Sequence, residues 1–179
     1  MDSRARPVGM ERPALWLALL RVAVGYWFVK SLWTKLTLVT LGGVLPLPAA
    51  SERWITTMPQ IVARQAAELP IPWYKRFLEG TVIPNAELFA HLTALGETAV
   101  GLGLVLGLFT GLSSLVGLML VIAYGLATWH MTPAQQGLHF VLFFCMLVFF
   151  LARAGRSWGI DAWIAARRPK SVLARRPIS

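Results

Sequence analysis

The sequence predicts an all-α integral membrane protein, a bundle of four transmembrane helices with an external loop that carries amphipathic and interfacial helices. Hydrophobic residues make up 56% of the 179 residues and charged residues only 14%, against roughly 25% charged residues in soluble domains. The mean hydropathy is +0.61. Residues 88–152 contain a single formally charged side chain, Glu97. This composition disfavours a water-soluble globular domain, and we expect the chain to lie in a membrane.

The first span is predicted at about 14–36, within a longer apolar run that contains three basic residues. A cleaved signal peptide is the alternative, because three arginines precede this run. Arg21 and Lys30 interrupt the apolar region, and no A-x-A cleavage site follows it. We therefore expect the segment to be retained as a transmembrane helix.

Three further spans are predicted near 87–107, 112–131 and 135–153. At about 1.5 Å of rise per residue, each spans or nearly spans a hydrocarbon core of about 30 Å. Thr132 can cap the last span, and Pro133 fits its first turn, where no backbone hydrogen bond is lost. Together with the first span, these helices form a membrane domain over residues 14–153.

The external cap, residues 37–86, connects the first two spans and is not featureless. One helical stripe of apolar side chains is predicted there; its members are Trp54, Ile55, Met58, Ile61, Val62 and Leu69. Residues 73–79 mix aromatic and charged side chains, as expected of a segment at the level of the lipid headgroups. We therefore expect a structured cap on the bundle.

The net charge of +9 is concentrated at the ends of the hydrophobic segments, which indicates topology rather than nucleic-acid binding. Residues 1–13 form a basic N-terminal tail, and residues 154–179 form a second basic tail with a short surface helix at 159–164. By the positive-inside rule both tails are cytoplasmic, and an even number of spans agrees with this. We predict a multi-pass protein of a prokaryotic-type cytoplasmic (inner) membrane, in contact with lipid.

Glu97 lies near the middle of the second span, where a lone carboxylate is costly and marks a candidate site. Arg21 of the first span is the preferred partner, because a guanidinium can hold a carboxylate with two hydrogen bonds. Three interpretations stay open: a structural ion pair, a group that faces substrate, or a protonated Glu97 bonded to Thr93 or Thr98. Glu97 and Arg21 are the candidate catalytic residues.

His130 and His139 lie in the outer halves of the third and fourth spans, and Lys30 lies in the first. These residues are candidates to contact a quinone or an anion, although hydrogen-bonded interface histidines and a lysine that reaches the headgroups are the simpler interpretations. Their spacing matches no metal motif, so no metal site is predicted. The single cysteine, Cys145, excludes an internal disulfide and is assigned to packing.

Several short motifs, in this order along four spans, resemble the DoxX superfamily of small four-helix membrane proteins, and most closely its DoxD branch. They are Leu20–Gly25, Leu95–Glu97 leading into Gly101–Thr110, and Gly155–Asp161, with Trp73–Glu79 and Val82–Ala86 of the external loop. The likeness covers approximately residues 14–165. It implies a membrane subunit of thiosulfate:quinone oxidoreductase, which oxidises thiosulfate to tetrathionate and passes electrons to quinone with a second small subunit.

The leading functional prediction is therefore a subunit of a quinone-linked oxidoreductase that binds an exchangeable quinone and a second protein subunit. Whether the chain is itself catalytic is left open. The alternative is a non-catalytic structural or assembly subunit of a larger respiratory or photosynthetic membrane complex. A small transporter or channel gated by Glu97 and Arg21 ranks last, because four helices leave little room for a pore in a monomer.

Overall fold

The computed structural model describes residues 13–41 and 45–178, so nearly all of the predicted N-terminal tail, 1–13, lies outside the described residues. Four helices in the described part are long and apolar enough to cross a membrane, which confirms the predicted fold class. Their bounds are Pro13–Thr34, Ala86–Leu106, Thr110–Ala127 and Pro133–Leu151. The first comprises α1, Pro13–Val29, and the short α2, Ser31–Thr34, and the other three are α5, α6 and α7.

The spans pack around one apolar core that draws side chains from all four helices. Its buried members are Val24, Phe28, Val100, Leu104, Val121, Leu142, Met146, Phe149 and Ala154. α1 packs extensively against α5, and α6 packs to a similar extent against α7. The backbones of α1 and α5 approach closely at Gly101, where a β-carbon would meet the backbone of Val29. In lipid, small residues at such crossings let helices associate through close van der Waals packing.

The cap contains α3, Glu52–Ala67, and α4, Pro72–Phe77, followed by a π-helical turn, Leu78–Val82. Ser51 begins α3, because its hydroxyl accepts a hydrogen bond from the backbone N–H of Trp54. Two clusters of buried apolar residues tie the cap to the first turns of α5 and the end of α6. The cap is therefore packed onto one end of the bundle, called here the cap end.

The cap also contains an antiparallel hairpin that the sequence analysis did not predict, formed by β1, Leu36–Leu41, and β2, Leu45–Ala50. The backbone N–H of Ser51 donates to the carbonyl of Lys35, so Lys35 and Ser51 form a hydrogen-bonded pair next to the first pair of the ladder. Since hydrogen-bonded and non-bonded pairs alternate, Pro46 and Pro48 occupy non-bonded positions. The two prolines therefore leave the ladder intact despite lacking an N–H.

The opposite end of the bundle, called here the tail end, carries a 3-10 turn, Ala154–Arg156, α8, Ile160–Arg167, and a second 3-10 turn, Val172–Ala174. α8 includes the predicted surface helix but is anchored by a fully buried acidic side chain, Asp161. The predicted cap of α7 is confirmed, because the Thr132 side chain accepts from the N–H of Gln135.

Candidate functional site

Glu97, in the middle of α5, is 7% exposed and accepts hydrogen bonds from three side chains. The ammonium of Lys35 lies 2.8 Å from both carboxylate oxygens. The hydroxyl of Tyr124 on α6 donates to Oε1 at 2.5 Å, and the hydroxyl of Ser31 on α2 donates to Oε2. Each oxygen therefore receives two donors, which is the full acceptor capacity of an ionised carboxylate.

This donor set contradicts the prediction that Arg21 pairs with Glu97. Arg21 faces Leu104, seven residues further along α5, and its guanidinium donates to the carbonyl of that residue. Seven residues of helix correspond to about 10 Å. The pairing prediction was wrong because α1 and α5 cross in a register that sets Ser31, rather than Arg21, beside Glu97.

The third interpretation, a protonated Glu97 bonded to Thr93 or Thr98, also lacks its proposed partners. The Thr93 hydroxyl donates to the carbonyl of Ala90 and accepts from the indole of Trp54. The Thr98 hydroxyl donates to the carbonyl of Ala94 at 2.8 Å. Neither threonine bonds to Glu97, so the carboxylate finds its partners on other helices.

Lys35 reaches Glu97 from the end of the first span, directly after α2. Lys35 is the residue that ends α2, and its ammonium lies 4.1 Å from the centroid of the Trp54 ring. Trp54 belongs to α3 and donates through its indole N–H to Thr93 of α5 at 3.2 Å. The cap therefore covers the ion pair on one side and shields it from water, which strengthens its electrostatic attraction.

Glu97 lines a cavity of about 360 Å³, within the range of roughly 300–1,000 Å³ typical of small-molecule sites. Its polar lining includes Lys30, Lys35, Tyr124 and His139. Its apolar lining comprises Trp27, Phe28, Val121, Leu138 and Leu142. The cavity thus combines an apolar wall with a few convergent polar groups, and it contains two of the predicted contact residues, Lys30 and His139.

Lys30 and His139 present unused hydrogen-bonding groups in this lining. The Lys30 ammonium lies 3.6 Å from the centroid of the Trp27 ring and pairs with no carboxylate within the described chain. His139 Nδ1 lies 2.8 Å from the carbonyl of Gln135, an acceptor, and so carries the proton. Its Nε2 is then left as an acceptor with no protein partner in the part of the chain described.

A larger groove of about 480 Å³ lies on the other side of His139, between α6 and α7. Its lining is almost entirely apolar and includes Trp129, Phe140 and Phe143, with Gln136 as its other polar side chain. Two surface depressions of the cap are larger still, at about 900 and 580 Å³. We place the candidate site at Glu97 because that cavity brings charged groups together around a buried carboxylate in the middle of a span.

His130 does not join the site. It lies in the loop between α6 and α7, and its Nε2 is 4.0 Å from a carboxylate oxygen of Glu68 in the cap. The two residues line an open surface depression of the cap. Lys30 and His139 therefore share the Glu97 cavity, whereas His130 does not. Across the described ranges, no group of three or more His, Cys, Asp or Glu side chains is placed to hold a metal ion.

Arg21 instead belongs to a second polar cluster at the tail end. It is 1% exposed and also donates to the carbonyls of Ser157 and Trp158, at 3.4 and 3.3 Å. Asp161 accepts from the backbone N–H groups of Phe109 and Thr110 at 2.9 Å, at the start of α6. The cluster clamps α8 to the turn between α5 and α6, which is a structural role.

Comparison with known proteins supplies one finding about the family. A family model described as "TQO small subunit DoxD" matches residues 16–175, which is nearly the whole chain. No curated protein and no solved structure matches the chain.

Proposed function

Since the chain belongs to the DoxD family, we propose that it is the membrane subunit of a quinone-linked oxidoreductase of the thiosulfate:quinone oxidoreductase type and that quinone binds in the Glu97 cavity. Oxidation of two thiosulfate ions to tetrathionate releases two electrons, and a bound quinone would take up these electrons with two protons. The second subunit is a necessary partner in this proposal. The Glu97 cavity is the observation that carries it.

The side chains of this cavity suit the head of a quinone, which is a flat apolar ring with two oxygen atoms. The Lys30 ammonium can donate a hydrogen bond to one oxygen, and it can also supply a proton. His139 Nε2 can accept a hydrogen bond from a hydroxyl group. Trp27 and Leu142 exclude water, which strengthens both interactions.

Glu97 and Lys35 have a positioning role in this proposal. The Glu97 carboxylate accepts hydrogen bonds from Lys35 and from the Tyr124 hydroxyl. Because Glu97 lies on α5 and Tyr124 on α6, these bonds fix the wall of the cavity between the two helices. Lys35 balances the charge of Glu97, which leaves the positive charge of Lys30 for the ligand. The cavity therefore favours a ligand that accepts electrons and develops negative charge.

The proposal is tested with the chain assembled with its second subunit, by thiosulfate-dependent reduction of quinone. Lys30→Met removes the ammonium but keeps the apolar stem. We expect kcat/KM for quinone to fall about tenfold, the equivalent of one hydrogen bond of about 1.4 kcal/mol. Arg53→Met removes an exposed basic residue of the cap and should leave turnover unchanged.

Two results would overturn this proposal. The first is an assembled complex without thiosulfate-dependent quinone reduction. The second is a complex whose turnover is unchanged by both Lys30→Met and Glu97→Gln, which would favour the structural or assembly role instead. Equilibrium binding of a quinone to the chain in nanodiscs distinguishes a variant that no longer binds quinone from one that binds quinone but receives no electrons.

We also propose that the cap lies outside the cytoplasm and that both tails lie inside, in a prokaryotic inner membrane. The basic excess of the tail end supports this orientation. In a Cys145→Ala background, a membrane-impermeant maleimide should label Gly80→Cys in intact cells and Ser171→Cys only after lysis. The reverse pattern would refute the orientation.

A further inference from the structure

α8 presents one outward face whose orientation is fixed by Asp161. The Asp161 carboxylate points into the protein, where it accepts two backbone N–H groups at the start of α6. At about 100° per residue, Trp163 and Arg167 lie on the side of the helix turned away from Asp161, and Ile160 flanks them. These side chains are all exposed, with Trp163 at 56%. Together they are called here the α8 face.

The α8 face combines apolar, aromatic and cationic groups. The Arg167 guanidinium lies 4.7 Å from the centroid of the Trp163 ring. Trp158, just before the helix, is 71% exposed. Aromatic side chains with arginine or lysine nearby are typical of helices that lie in the interface between lipid tails and headgroups. Since α7 ends at Leu151, only nine residues before α8 begins, the α8 face lies next to the membrane surface.

The charge of this region is almost entirely positive. Residues 153–178 contain seven lysine and arginine residues and a single acidic residue, Asp161. That acid is fully buried and accepts two backbone N–H groups at the start of α6, so it does not pair with the exposed Arg167, Arg168 and Lys170 of the described chain. Arg168 and Lys170 are exposed, and their side chains have no partner among the described residues.

We propose that the α8 face, with Arg168 and Lys170, is a binding surface for anionic phospholipid. Ile160 and Trp163 enter the headgroup region, while Arg167, Arg168 and Lys170 contact lipid phosphates. An anionic membrane surface attracts such clusters by about 1 kcal/mol for each basic residue. The surface is independent of the Glu97 cavity, so this proposal and the proposed function can fail separately.

The test uses the full chain in nanodiscs of phosphatidylcholine, with and without phosphatidylglycerol, and measures the apparent melting temperature. We expect phosphatidylglycerol to raise this temperature by roughly 5 °C. The triple variant Arg167→Gln, Arg168→Gln, Lys170→Gln should lose at least half of the rise. High salt should reduce the rise, because it screens exposed charges.

A matched triple variant at the cap end provides the control, since both leaflets of a nanodisc contain the anionic lipid. Arg53→Gln, Arg64→Gln, Arg76→Gln removes the same charge from the cap and should keep the full rise. The contribution of the Trp163 ring is tested by comparing Trp163→Gln with Trp73→Gln. Trp73 is similarly exposed, at 57%, but lies in the cap. Trp163→Gln alone should weaken the response to lipid.

Three outcomes would overturn the proposal. One is a melting temperature that does not respond to phosphatidylglycerol. Another is an equal loss of the response in the cap and tail triple variants. The third is stabilisation in native membranes that depends on Arg167 but is not reproduced by phosphatidylglycerol, which would assign the surface to an acidic protein.

Discussion

The ammonium of Lys35 lies 2.8 Å from both carboxylate oxygens of Glu97. The two residues come from different parts of the fold, since Lys35 ends the short helix α2 and Glu97 lies in the middle of α5. The side chain of Lys35 is 20% exposed and that of Glu97 only 9%. The pair thus joins the cap end to the interior of the bundle.

Glu97→Gln should destabilise the protein by about 2 kcal/mol. The glutamine amide has nearly the same size, but its NH₂ group cannot accept the hydrogen bonds that one carboxylate oxygen now receives. Lys35 would also lose its counter-charge. The free energy of unfolding in detergent measures this loss. Glu87→Gln, on the exposed side of the same helix, should cost only a few tenths of a kcal/mol.

A double-mutant cycle identifies the partner of Glu97. Combining Glu97→Gln with Lys35→Met should give an effect smaller than the sum of the single effects, with a coupling energy of about 1 kcal/mol. The same cycle with Arg21→Met should give a coupling energy near zero. Coupling to Arg21 that exceeds coupling to Lys35 would contradict the register of α1 and α5 described above.

Hydropathy alone was sufficient to predict the four spans, because each is a predominantly apolar run in which Arg21, Lys30 and Glu97 are isolated charges. The hairpin was not predictable in this way. Its two strands are as apolar as the end of a transmembrane helix, and their position in the fold depends on tertiary contacts such as those of β2 with α5. Prolines at two positions of the second strand were the available signal.

Only part of the candidate site was predicted: Glu97 was identified, but its partner was not. An intramembrane glutamate is visible in any hydropathy profile, whereas its partner depends on helix register, which a single sequence does not encode locally. Lys35 was assigned to the headgroups because it lies at the end of a span. Its spacing of four residues from Ser31 places both on one helical face, and this was the signal that could have linked them to Glu97.

Gly107→Ala should destabilise the turn between α5 and α6 by about 1–3 kcal/mol. Gly107 has a φ of +64°, which costs a residue with a side chain about 1–2 kcal/mol. A β-carbon there would also contact the Arg21 guanidinium and the backbone of Gly159. A lower apparent melting temperature in detergent is the expected result. Gly80→Ala adds a methyl group where no atom lies within 4 Å, and a comparable loss there would remove the steric explanation.

Tyr74 should make the stability of the cap sensitive to alkaline pH. Burial raises the pKa of the Tyr74 hydroxyl, which donates to the carbonyl of Ala123 on α6 at 2.9 Å. The unfolded cap ionises near the ordinary tyrosine pKa of about 10, while the folded cap resists ionisation. Stability is therefore unaffected below about pH 9 and falls as pH rises above about 10, because the unfolded state releases its proton first.

Tyr74→Phe removes this pH dependence and also costs about 1 kcal/mol from the lost hydrogen bond. The difference in melting temperature between wild type and variant should be constant from about pH 7 to pH 9 and then narrow. A difference that stays constant through about pH 11 would show that Tyr74 ionises as freely in the folded cap as in the unfolded chain.

His139 should be fixed in the tautomer that carries its proton on Nδ1. Nδ1 lies 2.8 Å from the carbonyl of Gln135. The nearby Thr128 hydroxyl already donates to the carbonyl of Tyr124, so it can only accept from the imidazole. Both neighbours of Nδ1 therefore require a donor. This leaves the lone pair of Nε2 as the proposed acceptor for a hydroxyl group of a ligand in the Glu97 cavity.

Nitrogen-15 NMR of histidine-labelled protein measures this tautomer directly. The Nδ1 of His139 should resonate as a protonated nitrogen and Nε2 as an unprotonated one, with the assignment made from the signals lost in His139→Gln. His91 provides an internal comparison, because its Nδ1 also lies close to a backbone carbonyl, that of Glu87, at 2.9 Å. If Nε2 of His139 carried the proton instead, it would be a donor, and its proposed role as the acceptor for a ligand hydroxyl would have to be abandoned.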